Sequence, residues 1–462
     1  MPLNKKGGVK MLLKNKNVLV VGMARSGVST VKTLSKLGAN ITINDIKNKD
    51  SLKDILDEIG HLCSECILGT HPQDLNQFDL IVLSPGVPTD LEFIKKAKSV
   101  NIPLIGELEL AYKLSKGNFI AITGTNGKTT TTALTGMIFK NANIETFIVG
   151  NIGTAAISRA LQTTDKSILV TEVSSFQLET IVDFKPKISA ILNITPDHLN
   201  RHKTMKNYIN SKANIFKNQK ENDILVLNYD NNITKDIAKR AVCKVLFFSR
   251  EERLREGIFV KNDSIIAKTC DVEEEICHVK DIYIPGKHNL ENALAATAIA
   301  YSFGIDKRHI KNTLRTFKGV EHRIEFVDEI NSVKFYNDSK GTNPDASIKA
   351  IEAIKAPIIL IAGGMDKGSN FDEFINAFNG KVKALVLLGE TAEKIKMTAE
   401  EKSFKNIFIV SNMEQAVIKS FEISDAFDNI LLSPACASWD MYENFEHRGK
   451  HFKECVYKLR RS

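Results

Sequence analysis

The stretch AITGTNGKTTTT, residues 121–132, closes a β-rich run, GNFIAI, and opens a helical one, TTTTALTGMIFKNA. A Gly-Lys-Thr turn between strand and helix suits phosphate. Its backbone N–H groups converge on the oxygens, Lys128 brings charge to the outer ones, and the Thr129 hydroxyl can face Mg2+. The common loop spacing, G-x-x-x-x-G-K-[ST], needs a glycine where Ile122 stands, and the nearest glycine is Gly124. The loop is two residues short of that form. Its candidate phosphate contacts are Gly124, Thr125, Asn126, Gly127, Lys128, Thr129 and Thr130.

On either side, β-rich and helical runs alternate. NVLVVG, NITIND, FDLIVLSPG and IPLIG lie between residue 17 and about 107, and ETFIVGN, SILVTEVSS and KISAILNIT follow the loop. VKFYNDS, APIILIAGG, VKALVLLGE, NIFIVS and NILLSPA fill the chain beyond about 319. Such alternation predicts mostly parallel sheets covered by helices. The expected class is α/β in three domains: a Rossmann-like N-terminal domain (1–107), a central P-loop ATPase-type parallel sheet (108–318) and a Rossmann-like C-terminal domain (319–462). Open parallel sheets bind ligands beyond the carboxyl ends of their strands. That rule selects Gly22, Asp45 and Ser84, then Gly124, Glu172 and Asp197, then Asp338, Gly363 and Ser433.

At 462 residues the chain is long enough for several cores, and 43% hydrophobic with 26% charged residues is an ordinary globular balance. Its longest apolar stretches, such as APIILIA, fall well short of the ~18 residues of a membrane span. The N-terminus offers only Met11–Leu13 as an apolar run, too little for a signal-peptide core, so a cytoplasmic location is expected. Seven scattered cysteines, with Cys63 and Cys66 the one tight pair, read as reduced thiols. A net charge of +8 suits anionic partners, and no zinc-finger or RNP-type signature singles out nucleic acid among them.

Other motifs carry two readings each. GMARSG (22–27) has Ala24 where a dinucleotide fingerprint has its middle glycine, which disfavours NAD. A different nucleotide diphosphate and a purely structural turn both stay open. Glu172 and His198 are candidate magnesium-site residues, although either alone is unremarkable in a loop. Asn289 and Asn292 stand one helical turn apart and could bond a base or phosphate, or Asn289 could cap its helix. NDSKGTNPDA (337–346), GGMDKGSNF (363–371) and SPACASWDMYENF (433–445) each follow a strand of the third segment.

Taken in order, TGTNGKTT, EVSSFQLE (172–179), NITPDHLNRH (193–202), HNLENALAA, HRIE (322–325), NDSKGTN and LSPACASWDMYENF resemble the Mur ligases. The short phosphate loop is that family's own form, and the resemblance runs from about residue 17 to 452. SSFQLE and the SPACAS block look most like the branch that adds D-glutamate to UDP-N-acetylmuramoyl-L-alanine. The resemblance implies an ATP-dependent amide-bond ligase of peptidoglycan precursor biosynthesis, working through an acyl phosphate with ATP as co-substrate and two Mg2+ sites. By motif, Lys128 would hold the ATP phosphates, Thr129 and Glu172 would bind one Mg2+, and His198 would face the second. Asn289, Asn292, Arg323 and Asp338 would seat the nucleotide. The UDP moiety would lie at Gly22, Ser26, Gly27, Asp45, Ser84, Pro85 and Gly86, with Asn151 on the sugar side. D-Glutamate would lie against Thr342, Lys367, Ser438, Trp439 and Phe445, Trp439 being larger than the residue usual there.

Lys212 in YINSKANIF would read alone as a surface charge. By resemblance it matches the family's carbamylated lysine, whose CO2 adduct is an oxygen ligand for Mg2+. The partners so implied are small molecules, with no nucleic acid, no membrane span and a monomeric enzyme. Two competitors are a sister ligase, which SSFQLE argues against, and an NAD-dependent dehydrogenase, which leaves GTNGKTT unexplained.

Overall fold

The computed structural model describes residues 13–460 apart from Ile152, Asp271 and Lys367, together with all their side chains except that of Asn200. Three sheets organise the chain. The first contains β1 (Asn17–Val21), β2 (Asn40–Asp45), β3 (Glu65–Leu68), β4 (Leu80–Leu83) and β5 (Leu104–Gly106), in the spatial order β3-β2-β1-β4-β5. All its pairings are parallel. The strand order reverses at β1, so the turn after β1 opens into a crevice where ligands of doubly wound sheets bind.

The second sheet holds β6 (Asn118–Thr123), β7 (Thr146–Gly150), β8 (Ile168–Glu172), β9 (Ile188–Ile191), β10 (Ile224–Asn228), β11 (Lys244–Ser249), β12 (Gly257–Lys261), β13 (Ser264–Lys268) and β14 (Glu273–His278). Its order is β14-β13-β12-β11-β10-β9-β6-β8-β7, parallel from β7 to β12 and antiparallel through β13 and β14. The third sheet orders β15 (Glu325–Ile330), β16 (Val333–Asn337), β17 (Ile358–Ala362), β18 (Val382–Leu387), β19 (Ile407–Ile409) and β20 (Asn429–Leu432) as β15-β16-β20-β17-β18-β19. Only the β15–β16 pair there is antiparallel.

Two compact units result. One carries the first two sheets, running to Asp281 and taking in Glu291–Arg315; the other comprises Ile282–Leu290 and the chain from Thr316. Within the first unit the helix Glu107–Leu114, which directly follows β5, is buried along its whole length. Its Glu109 carboxylate accepts the backbone N–H groups of Val182, Asp183 and Phe184, each at 2.9 Å. A carboxylate out of water is stable only with such paired donors. The rings of Tyr112, Phe119 and Phe184 meet edge-on beside it, with centroids 5.5–5.7 Å apart.

One expectation needs correction, and several strands went unread. Asp197 does not end a strand: β9 stops at Ile191, and Asp197 stands in the loop beyond it. The sequence reading also passed over β3, β15 and the run from β10 to β14. All seven cysteines are free, and Cys66 lies on β3. Among the described residues no helix is long and apolar enough to cross a membrane.

Candidate active site

The phosphate loop joins β6 to the helix Lys128–Asn141. Gly127 adopts φ +84°, and a Cβ there would lie 2.3 Å from Asn292 Oδ1, so glycine is required by backbone and space together. Asn292 Oδ1 also accepts from the Thr131 hydroxyl at 3.2 Å. On the other flank Asn193 braces the loop, its carbonyl accepting Thr125 N–H at 2.9 Å and its Oδ1 accepting Asn126 N–H at 2.8 Å. The Thr125 hydroxyl donates to the Thr195 carbonyl at 3.1 Å and lies 3.2 Å from the Tyr208 hydroxyl. Lys128 Nζ donates to the carbonyls of Gly124 and Thr125, at 2.9 and 2.8 Å.

A second lysine reaches the same carbonyl. Lys212, on the helix Met205–Ala213, is 2% exposed, and its Nζ donates to Gly124 O at 2.7 Å. The amine stands over the Tyr208 ring, 4.7 Å from its centre. Burial, then the charge of Lys128, holds the Lys212 amine well below its ordinary range, with Asp197 and Glu172 pulling the other way. Lys212 is therefore not the solvated surface lysine that its sequence suggests.

Glu172 ends β8 opposite Ile122 of β6, beside the strand that feeds the loop. Its Oε1 accepts Asn151 Nδ2 at 3.0 Å, while its buried Oε2 has no hydrogen-bond partner among the described residues. His198 takes a left-handed backbone, φ 53°, just before the one-turn helix Leu199–His202. Its ring packs on Phe176, centroids 5.0 Å apart. Burial lowers its pKa, opposed by Asp197 and assisted by Lys128 and Lys212.

At the first sheet, the turn after β1 is closed on itself. A Cβ on Gly27 would lie 1.9 Å from Gly22 O, and the Ser84 hydroxyl donates to the same carbonyl at 2.7 Å. Asp45 Oδ2 accepts Met23 N–H at 2.7 Å. The turn thus needs its first and last glycines, and Ala24 between them is tolerated. Arg25, which sequence reasoning passed over, begins the helix Arg25–Lys36 and donates to the Gly153 carbonyl at 3.1 Å.

In the second unit, Asn289 Nδ2 donates to the Pro285 carbonyl at 2.7 Å, and Asn289 lies inside its helix, which begins at Lys287, so it is not the N-cap. Asp338 follows β16 and is buried, with Oδ2 accepting from the Ser433 hydroxyl at 2.7 Å and Oδ1 from Ile324 N–H at 3.2 Å. Burial pushes its carboxyl up to about 7, against those bonds and the charge of Arg323. Ser438 is buried and Trp439 is 62% exposed. Phe445 opens the helix Phe445–Leu459 under the Lys340 amine, 5.6 Å from the ring centre. Lys367 lies outside the described residues. Arg448, unnoticed in the sequence, is 3% exposed and binds the Ser339 hydroxyl and the carbonyls of Ser339, Cys436 and Ala437. It ties the Asp338 loop to the Ser438 loop. The signal was present: residues 448, 449, 452, 455 and 456 form the buried stripe of that helix.

A carboxyl group raised by burial binds its proton more tightly in the folded state. The stability it contributes is complete below the unfolded value near 4 and is lost as pH rises through about 7. Asp338→Asn is accordingly expected to flatten the fall in melting temperature of the second unit between pH 5 and 8. Calorimetry on variant and wild type checks this, and parallel curves would refute it.

The Mur ligase MurD-like N-terminal domain matches residues 16–106, the Mur ligase middle domain 122–300, and the Mur ligase glutamate ligase domain 322–436. The UDP-N-acetylmuramoylalanine--D-glutamate ligase of Alkaliphilus oremlandii is 56% identical over 454 residues, covering 98% of this chain and 100% of that protein. The chain belongs to the Mur ligase family. The ligase of the same name from Clostridioides difficile is 55% identical over 97% of this chain and 100% of its own. In fold, this Mur ligase is similar to UDP-N-acetylmuramate-alanine ligase from Thermotoga maritima (TM-score 0.59, 18% identity, 96% of this chain and 100% of that one). It is likewise similar to MurF from Acinetobacter baumannii (TM-score 0.60, 14% identity, 96% and 93%).

Mur ligases are ATP-dependent ligases of peptidoglycan synthesis that use Mg2+. Among the described residues no group of three or more His, Cys, Asp or Glu converges to hold a metal. Mg2+ keeps several waters and takes one or two carboxylates plus substrate phosphates. The unpartnered Glu172 Oε2 and the Thr129 hydroxyl are hard oxygen donors of the required kind.

Proposed function

We propose that this Mur ligase joins D-glutamate to UDP-N-acetylmuramoyl-L-alanine, with ATP, in the cytoplasm and as a monomer. The observation that carries the reading is the 56% identity to the A. oremlandii ligase across 98% of the chain. The first domain (1–107) takes the uridine diphosphate at Gly22, Ser26, Gly27, Asp45 and Ser84–Gly86, with Arg25 beside it. The central domain (108–318) takes ATP at residues 124–130 with Asn292. The third (319–462) takes D-glutamate at Thr342, Lys367, Ser438, Trp439 and Phe445, and Asn289, Arg323 and Asp338 complete the nucleotide seat.

A carboxylate is a poor electrophile until one oxygen becomes a leaving group. ATP therefore transfers its γ-phosphoryl group to the substrate carboxylate, the amine of D-glutamate attacks the acyl carbon, and phosphate departs with the oxygen it received. Lys128 leaves its loop carbonyls to neutralise the phosphoryl charge, and the loop N–H groups orient it. Asn151 fixes the Glu172 carboxylate. Two Mg2+ would be held by Thr129 with Glu172 and by His198 with Lys212, and would supply further charge neutralisation. Lys212 suits the second set because carbamylation by CO2 needs a neutral amine, and burial beside Lys128 favours that form.

Release of phosphate from ATP in the presence of UDP-N-acetylmuramoyl-L-alanine, measured with each D- and L-amino acid, tests the reading. D-Glutamate alone should stimulate it strongly, and equal response to L-alanine or a diamino acid would overturn it. Lys367→Ala is expected to raise the apparent KM for D-glutamate about tenfold while leaving that for ATP nearly unchanged, since a charge-assisted bond to a substrate carboxylate is lost. Steady-state kinetics with each substrate varied decides the point.

A further inference from the structure

The helix Leu199–His202 is a single turn that begins directly after His198. Both of its last two side chains are held. Arg201 Nη2 donates to Glu179 Oε2 at 3.0 Å and to the Val87 carbonyl at 3.0 Å, with the guanidinium 5.2 Å from the Phe176 ring centre. His202 is buried, with Nε2 2.9 Å from the Ser175 hydroxyl and Nδ1 3.4 Å from Glu179 Oε1. Burial lowers the pKa of this imidazole, against the charge of Glu179. Ser175 and Glu179 bound the short helix Ser175–Leu178, which a capping box of Ser174 and Gln177 fixes. A serine, a histidine and an acid in this order suggest a nucleophile, but Ser175 is buried, 2% exposed, with its hydroxyl against His202.

The far end of the chain of contacts is what gives it meaning. Val87 follows the Ser84–Pro85–Gly86 turn and packs against the glycine turn of the first sheet, its Cγ2 2.8 Å from where a Gly22 Cβ would stand. Arg201 therefore ties the turn of the first sheet to the segment of the second that carries His198. One substrate must satisfy both places, with its uridine diphosphate at the first sheet and its carboxylate at the phosphate loop. The spacing between the two sets of ligands decides whether the carboxylate reaches, and a misplacement of about 1 Å can cost about 100-fold in rate.

We propose that Arg201 is a positioning residue for the UDP-linked substrate, its single guanidinium bridging the Val87 carbonyl and Glu179 to hold the two sites in register. This rests on the ligase reading above. With Arg201→Ala the KM for UDP-N-acetylmuramoyl-L-alanine rises about tenfold, whereas the KM for ATP stays within about twofold because the Lys128 loop is braced separately by Asn193 and Tyr208. Arg201→Lys recovers part of the loss. Glu179→Gln, which keeps the Val87 bond and removes the charge partner, shows a smaller rise in the same KM, and serves if the alanine variant does not fold. Unchanged KM values, or KM values for both substrates rising together, would overturn the proposal. Wild-type protein is assayed first. Failure to turn over UDP-N-acetylmuramoyl-L-alanine there sinks the ligase reading, whereas normal wild-type turnover with an unaffected Arg201→Ala sinks the positioning role alone.

Discussion

Lys128→Ala is expected to lower turnover by about a thousandfold or more while the protein stays folded. The side chain is half-buried, and its amine donates to the carbonyls of its own loop, Gly124 and Thr125, rather than packing in an apolar core. On its removal Gly124 O keeps its bond from Lys212, the Thr125 carbonyl turns to solvent, and the loop keeps its Asn193 and Tyr208 contacts. On the proposed reading, what disappears is the charge that would meet the transferring phosphoryl group. Turnover measured beside an unfolding curve checks both halves, and near-normal activity in a folded variant would remove the loop from the mechanism.

Lys212→Ala should be nearly as damaging, by about two to three orders of magnitude, for a different reason. The wild-type amine is buried against Gly124 O and the Tyr208 ring, so its removal leaves a small enclosed space at the loop. Acetate or formate can enter that space and supply the anionic oxygen that the carbamate would provide, so either salt should restore part of the activity. Lys212→Arg keeps the charge but cannot form the adduct and should not respond. An arginine variant with substantial activity, or an alanine variant indifferent to both salts, would return Lys212 to the role of an ordinary buried cation.

The contrast between Lys212 and Lys128 shows how far the sequence could be read. Lys128 stands out in the sequence because Gly-Lys-Thr between strand and helix is the pattern of a phosphate loop, and the structure does place that turn between β6 and a helix. Lys212 is legible only through resemblance, because nothing in YINSKANIF announces that its helix face turns inward. Tyr208, one turn before it on the same face, and Asn193 carry no motif signal of their own. Their work is to hold loop backbone, a task set by tertiary approach. Parallel strands buried on both faces, such as β6 and β8, stood out as apolar runs, although β10, ILVLN, is buried and parallel in the same way and went unread. The half-exposed strands β14 and β15 alternate too weakly with charged residues to do so. Arg448 was hidden for a related reason: a charged residue on a buried stripe looks like an interruption until its four oxygen partners are seen.

The close approach of Gly127 to Asn292 bears on how the sequence can change. A methyl group at 127 would collide with Asn292 Oδ1 at 2.3 Å and would also have to hold φ +84°. Trimming Asn292 relieves the collision but not the backbone strain of about 1–2 kcal/mol that a left-handed L-residue carries. It also takes away the acceptor of the Thr131 hydroxyl. Positions 127, 131 and 292 are thus epistatic, although more than 150 residues separate the first from the last. A side chain at 127 or the loss of the amide at 292 therefore weakens the loop unless the other positions change with it. A library that randomises the phosphate loop while holding residue 292 fixed will therefore return little but the starting glycine.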